Sequence, residues 1–136
     1  MKRTGTAHWE GDLKTGKGAL STQSTVLNQT QYSFKTRFED GVGTNPEELL
    51  AAAHAGCFTM AVSMILGQAG FTATSLDTTA TVTMEGLAIT GVHLAIAGAV
   101  PNITLQQFQE MTKGAEQNCL ISKALSIPIT SEASLI

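Results

Sequence analysis

Aromatic residues make up only 5% of this 136-residue chain and charged residues only 14%, against roughly 25% charge in typical soluble domains. A core must therefore be built from Ala, Val, Ile, Leu and Met. So little charge also implies that much of the surface is covered, most simply by a second copy of the chain. Basic residues are few and uneven: six of the eight lie between Lys2 and Arg37, and none follows until Lys113. With a net charge of −3 and no basic run interleaved with aromatics, nucleic acid is not an expected partner. Cysteine is scarce too. The two thiols, Cys57 and Cys119, stand 62 residues apart, a spacing that fits no compact zinc motif. The N-terminus, MKRTGTAHWEGD, has no apolar stretch of the kind a secretory signal carries, so the expected location is cytoplasmic. There, two cysteines point to redox or catalytic chemistry more than to a structural bridge.

One segment lacks charge altogether. Residues 49–70 run for 22 positions without Asp, Glu, Lys or Arg, enough to span a bilayer. His54, Thr59, Ser63 and Gln68 interrupt the run, Ala and Gly dominate its first half, and no Lys or Arg flanks it. It reads as a buried helix at the centre of a soluble assembly, with no membrane partner.

At this length one domain, residues 1–136, is expected, with enough chain to bury a core. Thr6–Glu10 predicts a first strand, Asp12–Gly18 a hairpin turn, and Ala19–Val26 a second strand before a turn at Asn28-Gln29. Tyr32, Phe34, Thr36 and Phe38 alternate with Ser33, Lys35, Arg37 and Glu39, a period of two that predicts a third strand. Asn45-Pro46-Glu47-Glu48 is a helix start: Asn45 caps, Pro46 suits the first position, and Glu48 completes a capping box. Both carboxylates favour the positive end of the helix dipole. Gly70 is the expected stop, with a kink near Gly67. Strands are predicted over Thr72–Glu85 and Ala88–Val100. Pro101–Thr104 opens a second helix through about Gln117, a short helix follows Cys119, and Ile127–Leu135 closes as a strand, with Pro128 implying an edge or strand start. The order indicates α+β, a mostly antiparallel sheet with one dominant apolar helix.

Cys57 sits in that helix among small residues, where a free thiol usually packs as a small hydrophobe. A reactive reading needs a nearby cation, because a thiol of pKa about 8.5 is only slightly ionised at neutral pH. Of the two arginines, Arg3 is close to the terminus, which leaves Arg37 as the guanidinium for the task. Glu47 is either a first-turn carboxylate serving the dipole or the partner of Arg37. Ten residues of helix put Glu47 about 15 Å along the axis from Cys57. If Arg37, Glu47 and Cys57 meet, Cys57 most simply comes from the other subunit of an isologous dimer. Cys119 lies at the start of a short helix, as a buried thiol or a second reactive one. A disulfide would form if the fold brings the two Cα atoms within about 7 Å. Cys57 would then be the attacking thiol and Cys119 the resolving one. His54, three residues before Cys57, is a core histidine, a general base or half of a metal site, though no other His–Cys pair completes one. His8 and His93 are isolated on strands.

Gly43-Thr44-Asn45-Pro46-Glu47-Glu48-Leu49, followed by Ala52-Ala53-His54-Ala55-Gly56-Cys57-Phe58, closely resembles the OsmC/Ohr family of thiol peroxidases. Ala7-His8-Trp9-Glu10-Gly11-Asp12, Thr36-Arg37-Phe38-Glu39 and Gly70-Phe71-Thr72 extend the match over most of the chain. The Ala-His-Ala around residue 54 and the Thr-Arg-Phe-Glu segment are similar to the osmotically inducible protein C branch. The resemblance implies an intertwined homodimer with central cysteine helices and two active sites at the subunit interface. By position Cys57 matches the peroxidatic cysteine, Cys119 the second cysteine, and Arg37 and Glu47 the arginine–glutamate pair. The implied substrates are organic hydroperoxides and, less efficiently, hydrogen peroxide, with dithiols, lipoylated proteins included, as reductants. The family often has proline after the second cysteine, where this chain has Leu120.

The expected function is therefore a dimeric peroxidase, an oxidoreductase that needs no cofactor and acts in oxidative and osmotic stress defence. Two other classes compete with it. One is a non-catalytic dimeric module binding a hydrophobic ligand between its helices, with both thiols inert. The other is a Cys57–His54 thiol hydrolase working through an acyl-enzyme.

Overall fold

The computed structural model describes residues 1–136. The chain divides into two units, Met1–Leu49 and Leu50–Ile136. In the first, β1 (Gly5–Glu10), β2 (Lys17–Thr22) and β3 (Thr30–Tyr32) form an antiparallel sheet in that order. The β1–β2 turn is tied by Asp12, whose carboxylate accepts from the amide and the hydroxyl of Thr15, each at 2.7 Å. These hydrogen bonds hold the Asp12 carboxyl below its ordinary pKa.

β2 is shorter than expected, because its Ser/Thr-rich end turns instead of extending. The hydroxyl of Thr22 accepts from Leu27 N and that of Ser24 from Val26 N. Such side-chain bonds offer the backbone an alternative to a ladder.

The predicted strand over Tyr32–Glu39 is overturned in its greater part. Phe34–Phe38 is a helix, α1, closed by a capping box. Ser33 Oγ accepts from Thr36 N at 3.3 Å, and Thr36 Oγ1 accepts from Ser33 N at 2.8 Å. The alternation of aromatics hid a second pattern, because residues 34 and 38 are also neighbours on a helix face. The Phe34 and Phe38 ring centroids are 4.9 Å apart. In a strand the same two residues would stand about 13 Å apart.

The long helix α2 (Pro46–Gln68) begins where the sequence places it. Asn45 Oδ1 accepts from Glu48 N at 2.7 Å, while the Glu48 carboxylate takes the Thr44 hydroxyl instead of closing a capping box on Asn45. Just before it, Gly43 has φ +126°, and a Cβ there would lie 2.4 Å from the Gln31 carbonyl oxygen, so only glycine fits. The close approach lets Thr44 N donate to that same carbonyl at 2.8 Å. The helix runs unbroken through Gly67 and ends ahead of Gly70, where Phe71 N reaches back to Leu66 O.

In the second unit β4 (Ser75–Glu85) pairs antiparallel with β5 (Ala88–Ala99), and β5 pairs parallel with β6 (Ile129–Leu135). Pro128 directly precedes β6, which is an edge strand, as its missing N–H requires. Between β5 and β6 lie α3 (Leu105–Asn118), capped by Thr104, and α4 (Leu120–Ala124). The strands thus divide between two three-stranded sheets within an α+β fold.

The core of this unit is built from three sources. Helix α2 supplies Phe58, Val62 and Leu66; β5 supplies Val92, Leu94 and Ile96; and α3 supplies Phe108 and Ala115, with Cys119 just beyond it. These recur at helical spacing on the helices and at every second residue on the strand, as one-sided burial demands. The opposite face of α2 remains open: Ala52, Gly56, Met60, Ser63 and Gly67 are exposed in the single chain. The helix is long and apolar enough to cross a membrane by length and composition, yet only 22% of its apolar window is buried.

Candidate active site

In the N-terminal unit, Arg37 on α1 meets Glu47 in the first turn of α2. Glu47 Oε1 accepts from Arg37 Nη2 at 2.6 Å and from Nε at 3.1 Å, and Oε2 receives Nε at 3.4 Å. This fork geometry fixes the guanidinium plane, which a lysine would not do. The Glu47 side chain is 9% exposed and that of Arg37 40%, so a buried carboxylate holds a cation that still reaches outward. Asn45 ties the two segments together by donating from Nδ2 to Thr36 O at 2.9 Å.

Beside Arg37 lies a cavity of about 270 Å³ walled by Trp9, Tyr32, Phe34 and Phe38. Its aromatic walls are ordered by contact: Trp9 and Tyr32 rings are 5.6 Å apart, and the Arg37 guanidinium carbon sits 5.2 Å from the Phe38 ring centre. Sequence reasoning missed this pocket. The available signal was that four of the chain's seven aromatics fall before residue 39.

In the C-terminal unit the fold brings the two thiols together, and both are free. Cys57 on α2 packs half-buried against the core that contains Cys119. Burial by itself pushes the Cys119 thiol pKa up. Hydrogen bonds from the Ser122 hydroxyl and amide, the Cys57 side chain and the Ile121 amide more than offset it, and the net shift is downward. Ser122 Oγ and N each lie 3.4 Å from Cys119 Sγ. A thiol so held is partly prepared for attack as a thiolate.

His54 is fully buried and belongs to this cluster, but not to Cys57. Its Nε2 is 2.8 Å from Ser122 Oγ, and its Nδ1 has no partner. Burial lowers its pKa from the ordinary 6.5, so the ring is neutral at neutral pH. The Cys57–His54 dyad required by a thiol hydrolase is therefore not formed. Ser122 was not singled out from the sequence; its only signal was its place three residues after Cys119, the spacing of a side-chain cap. His8 and His93 stand on β1 and β5, with Glu10 and Glu132 as their acidic neighbours.

An α+β frame with two free thiols in one core, one of them lowered in pKa by hydrogen bonds, has the parts of a thiol-based redox protein. Residues 38–133 match the family of OsmC-like proteins. The peroxiredoxin OsmC of Escherichia coli (strain K12) is 51% identical over 139 residues, covering 99% of this chain and 97% of that protein. The chain belongs to the OsmC family. Among solved structures, an OsmC-like protein of unknown function from Vibrio cholerae superposes with a TM-score of 0.78 at 16% identity, covering 98% of this chain and 99% of that one. The organic hydroperoxide resistance protein OhrB of Bacillus subtilis does so with 0.72 at 22% identity, covering 98% of each. These two likenesses establish the fold.

Proposed function

We propose that this thiol-dependent peroxidase reduces organic hydroperoxides, and hydrogen peroxide less efficiently, to alcohols at the expense of an external dithiol. The single observation that carries the reading is the pair of free thiols in one core, with Cys57 packed against the cluster that holds Cys119. The name of the curated relative points the same way. The Cys57 thiolate attacks the terminal peroxide oxygen and the O–O bond breaks. The alkoxide leaves as alcohol after taking up a proton, and Cys57, oxidised by two electrons, becomes a sulfenic acid. Cys119 sulfur then attacks the sulfenic sulfur, the S–O bond breaks and water leaves. A dithiol, lipoylated proteins included, reduces the resulting disulfide to two thiols.

Arg37, oriented by Glu47, stabilises the Cys57 thiolate and polarises the O–O bond. The aromatic cavity beside it suits an alkyl tail. Ten residues of helix α2 separate Glu47 from Cys57, about 15 Å of rise, so we place the Arg–Glu pair of one chain on the thiols of another. The open apolar face of α2, with Met60 76% and Met64 58% exposed, supports burial against a second copy in a homodimer. In this reading residues 1–136 act as one OsmC-like domain of a soluble, cytoplasmic protein in oxidative and osmotic stress defence.

The mechanism requires that Cys57→Ser abolish dithiol-dependent peroxide consumption; full retained activity overturns it. Cys119→Ser stalls Cys57 as sulfenic or sulfinic acid, and a normal multi-turnover rate would remove Cys119 from the cycle. Shared sites are tested by mixing unfolded Cys57→Ser and Glu47→Gln chains and refolding them together. Mixed dimers regain one intact site if sites are shared, and none if each chain completes its own.

A further inference from the structure

Three buried side chains in the C-terminal unit form a hydrogen-bonded run, His54, Ser122 and Cys119, and the half-buried Cys57 packs against the core that holds it. His54 is 0% exposed, Cys119 2% and Ser122 8%. Packing alone does not call for an imidazole at the base of this run, because a buried ring nitrogen left without a partner is destabilising. The hydrogen-bond directions follow from which atoms have partners. Nδ1 has none, and an unprotonated nitrogen tolerates that better than a buried N–H. The ring proton therefore resides on Nε2 and is donated to Ser122 Oγ, 2.8 Å away. With its oxygen accepting from His54, the serine turns its single proton toward its other neighbour, the Cys119 sulfur at 3.4 Å. The Ser122 amide donates to the same sulfur from the other side.

We propose that His54 and Ser122 are positioning residues for the resolving step, with His54 orienting the Ser122 hydroxyl so that it holds the Cys119 sulfur as a thiolate facing Cys57. This rests on the assignment of Cys57 and Cys119 as the attacking and resolving thiols. In the step itself the Cys119 thiolate attacks the sulfenic sulfur of Cys57, the S–S bond forms and the S–O bond breaks. The departing hydroxide takes up a solvent proton. His54 neither gains nor loses a proton and stays neutral throughout, in keeping with its lowered pKa.

The test separates the two half-reactions in a single turnover with one equivalent of cumene hydroperoxide. Sulfenic acid on Cys57 is trapped with dimedone and the Cys57–Cys119 disulfide is read by mass. Ser122→Ala and His54→Leu are expected to slow disulfide formation about tenfold, or about 1.4 kcal/mol. Sulfenic acid still forms on Cys57 in both, and sulfinic acid accumulates. Ser122→Thr, which restores a hydroxyl, and His54→Gln, which restores a donor, recover a substantial part of the rate. A loss caused by packing alone would not follow the donor in this way. Urea unfolding of each variant confirms that the folded enzyme is being compared, and the two positions are independent should one variant fail to fold. Disulfide formation in Ser122→Ala and in His54→Leu within twofold of the unmodified enzyme overturns the role of both residues while leaving the thiol assignment intact. An unmodified enzyme that forms no Cys57–Cys119 disulfide overturns the assignment and the proposal together.

Discussion

Replacing Glu47 by Gln removes one negative charge from a pair whose partner, Arg37, has no other carboxylate bound to it. The amide of the substituted side chain keeps one acceptor oxygen, so one of the guanidinium contacts persists while the charge-assisted fork is lost. The stability cost lies between two limits. Exposed pairs contribute about 0.2–1 kcal/mol, whereas one-sided loss of a buried pair costs about 3–5 kcal/mol. With Glu47 at 9% exposure and Arg37 at 40%, solvent screens one partner only, and a loss of about 1–2 kcal/mol is expected. For a chain of this length that lowers Tm by about 3–8 °C, measured at fixed protein concentration. The kinetic effect is expected to be larger. A guanidinium free to rotate no longer faces the peroxide, and kcat/KM for cumene hydroperoxide should fall at least about tenfold, or 1.4 kcal/mol. Peroxide consumption with dihydrolipoamide as reductant reads kcat/KM, and thermal unfolding by circular dichroism reads Tm. A lowered Tm with kcat/KM unchanged within twofold would make the pair purely structural and refute the role given to Arg37.

Phe108→Ala, at a fully buried position in the C-terminal core, should cost about 3–5 kcal/mol in urea unfolding, and a loss below about 1 kcal/mol would contradict the packing described. Ser33→Ala removes the cap of α1 and should cost about 1 kcal/mol while raising KM for bulky hydroperoxides; Ser33→Thr should restore both, and an unaltered KM would detach α1 from substrate binding. Burial lowers the His54 pKa below 6.5, so between the native and unfolded values the unfolded chain binds more protons. Stability from this group is thus complete above about pH 6.5 and declines as pH falls through that window. His54→Gln should flatten the slope between about pH 7.5 and 5, and an identical slope in the variant would refute the assignment.

Much of the frame was legible along the chain because it is encoded by short-range rules. Asn45-Pro46 starts α2 where a cap and a proline must, and the alternation of Val92, Leu94 and Ile96 identifies the buried face of β5. The segment around Arg37 was misread because its aromatics satisfied a period of two and helical spacing at once. The hydrogen bonds of Ser33 and Thr36 decided for the helix. The aromatic cavity escaped for a related reason: its walls come from β1, β3 and α1, whose convergence no local pattern announces.

The amino-acid sequence by itself determined the α+β class, the order of elements apart from α1, and the apolar helix carrying Cys57. Its scarcity of cysteine and arginine also narrowed the candidate chemistry to a few side chains. Only the tertiary structure decided which of them meet. Arg37 closes on Glu47 across ten residues, and His54 reaches Ser122 across 68, bringing a serine with no signature against a buried thiol. Propensity and periodicity act over one or two turns of chain. A contact between distant residues exists only after the loop between them has closed and the core has packed, and that is where this site is made.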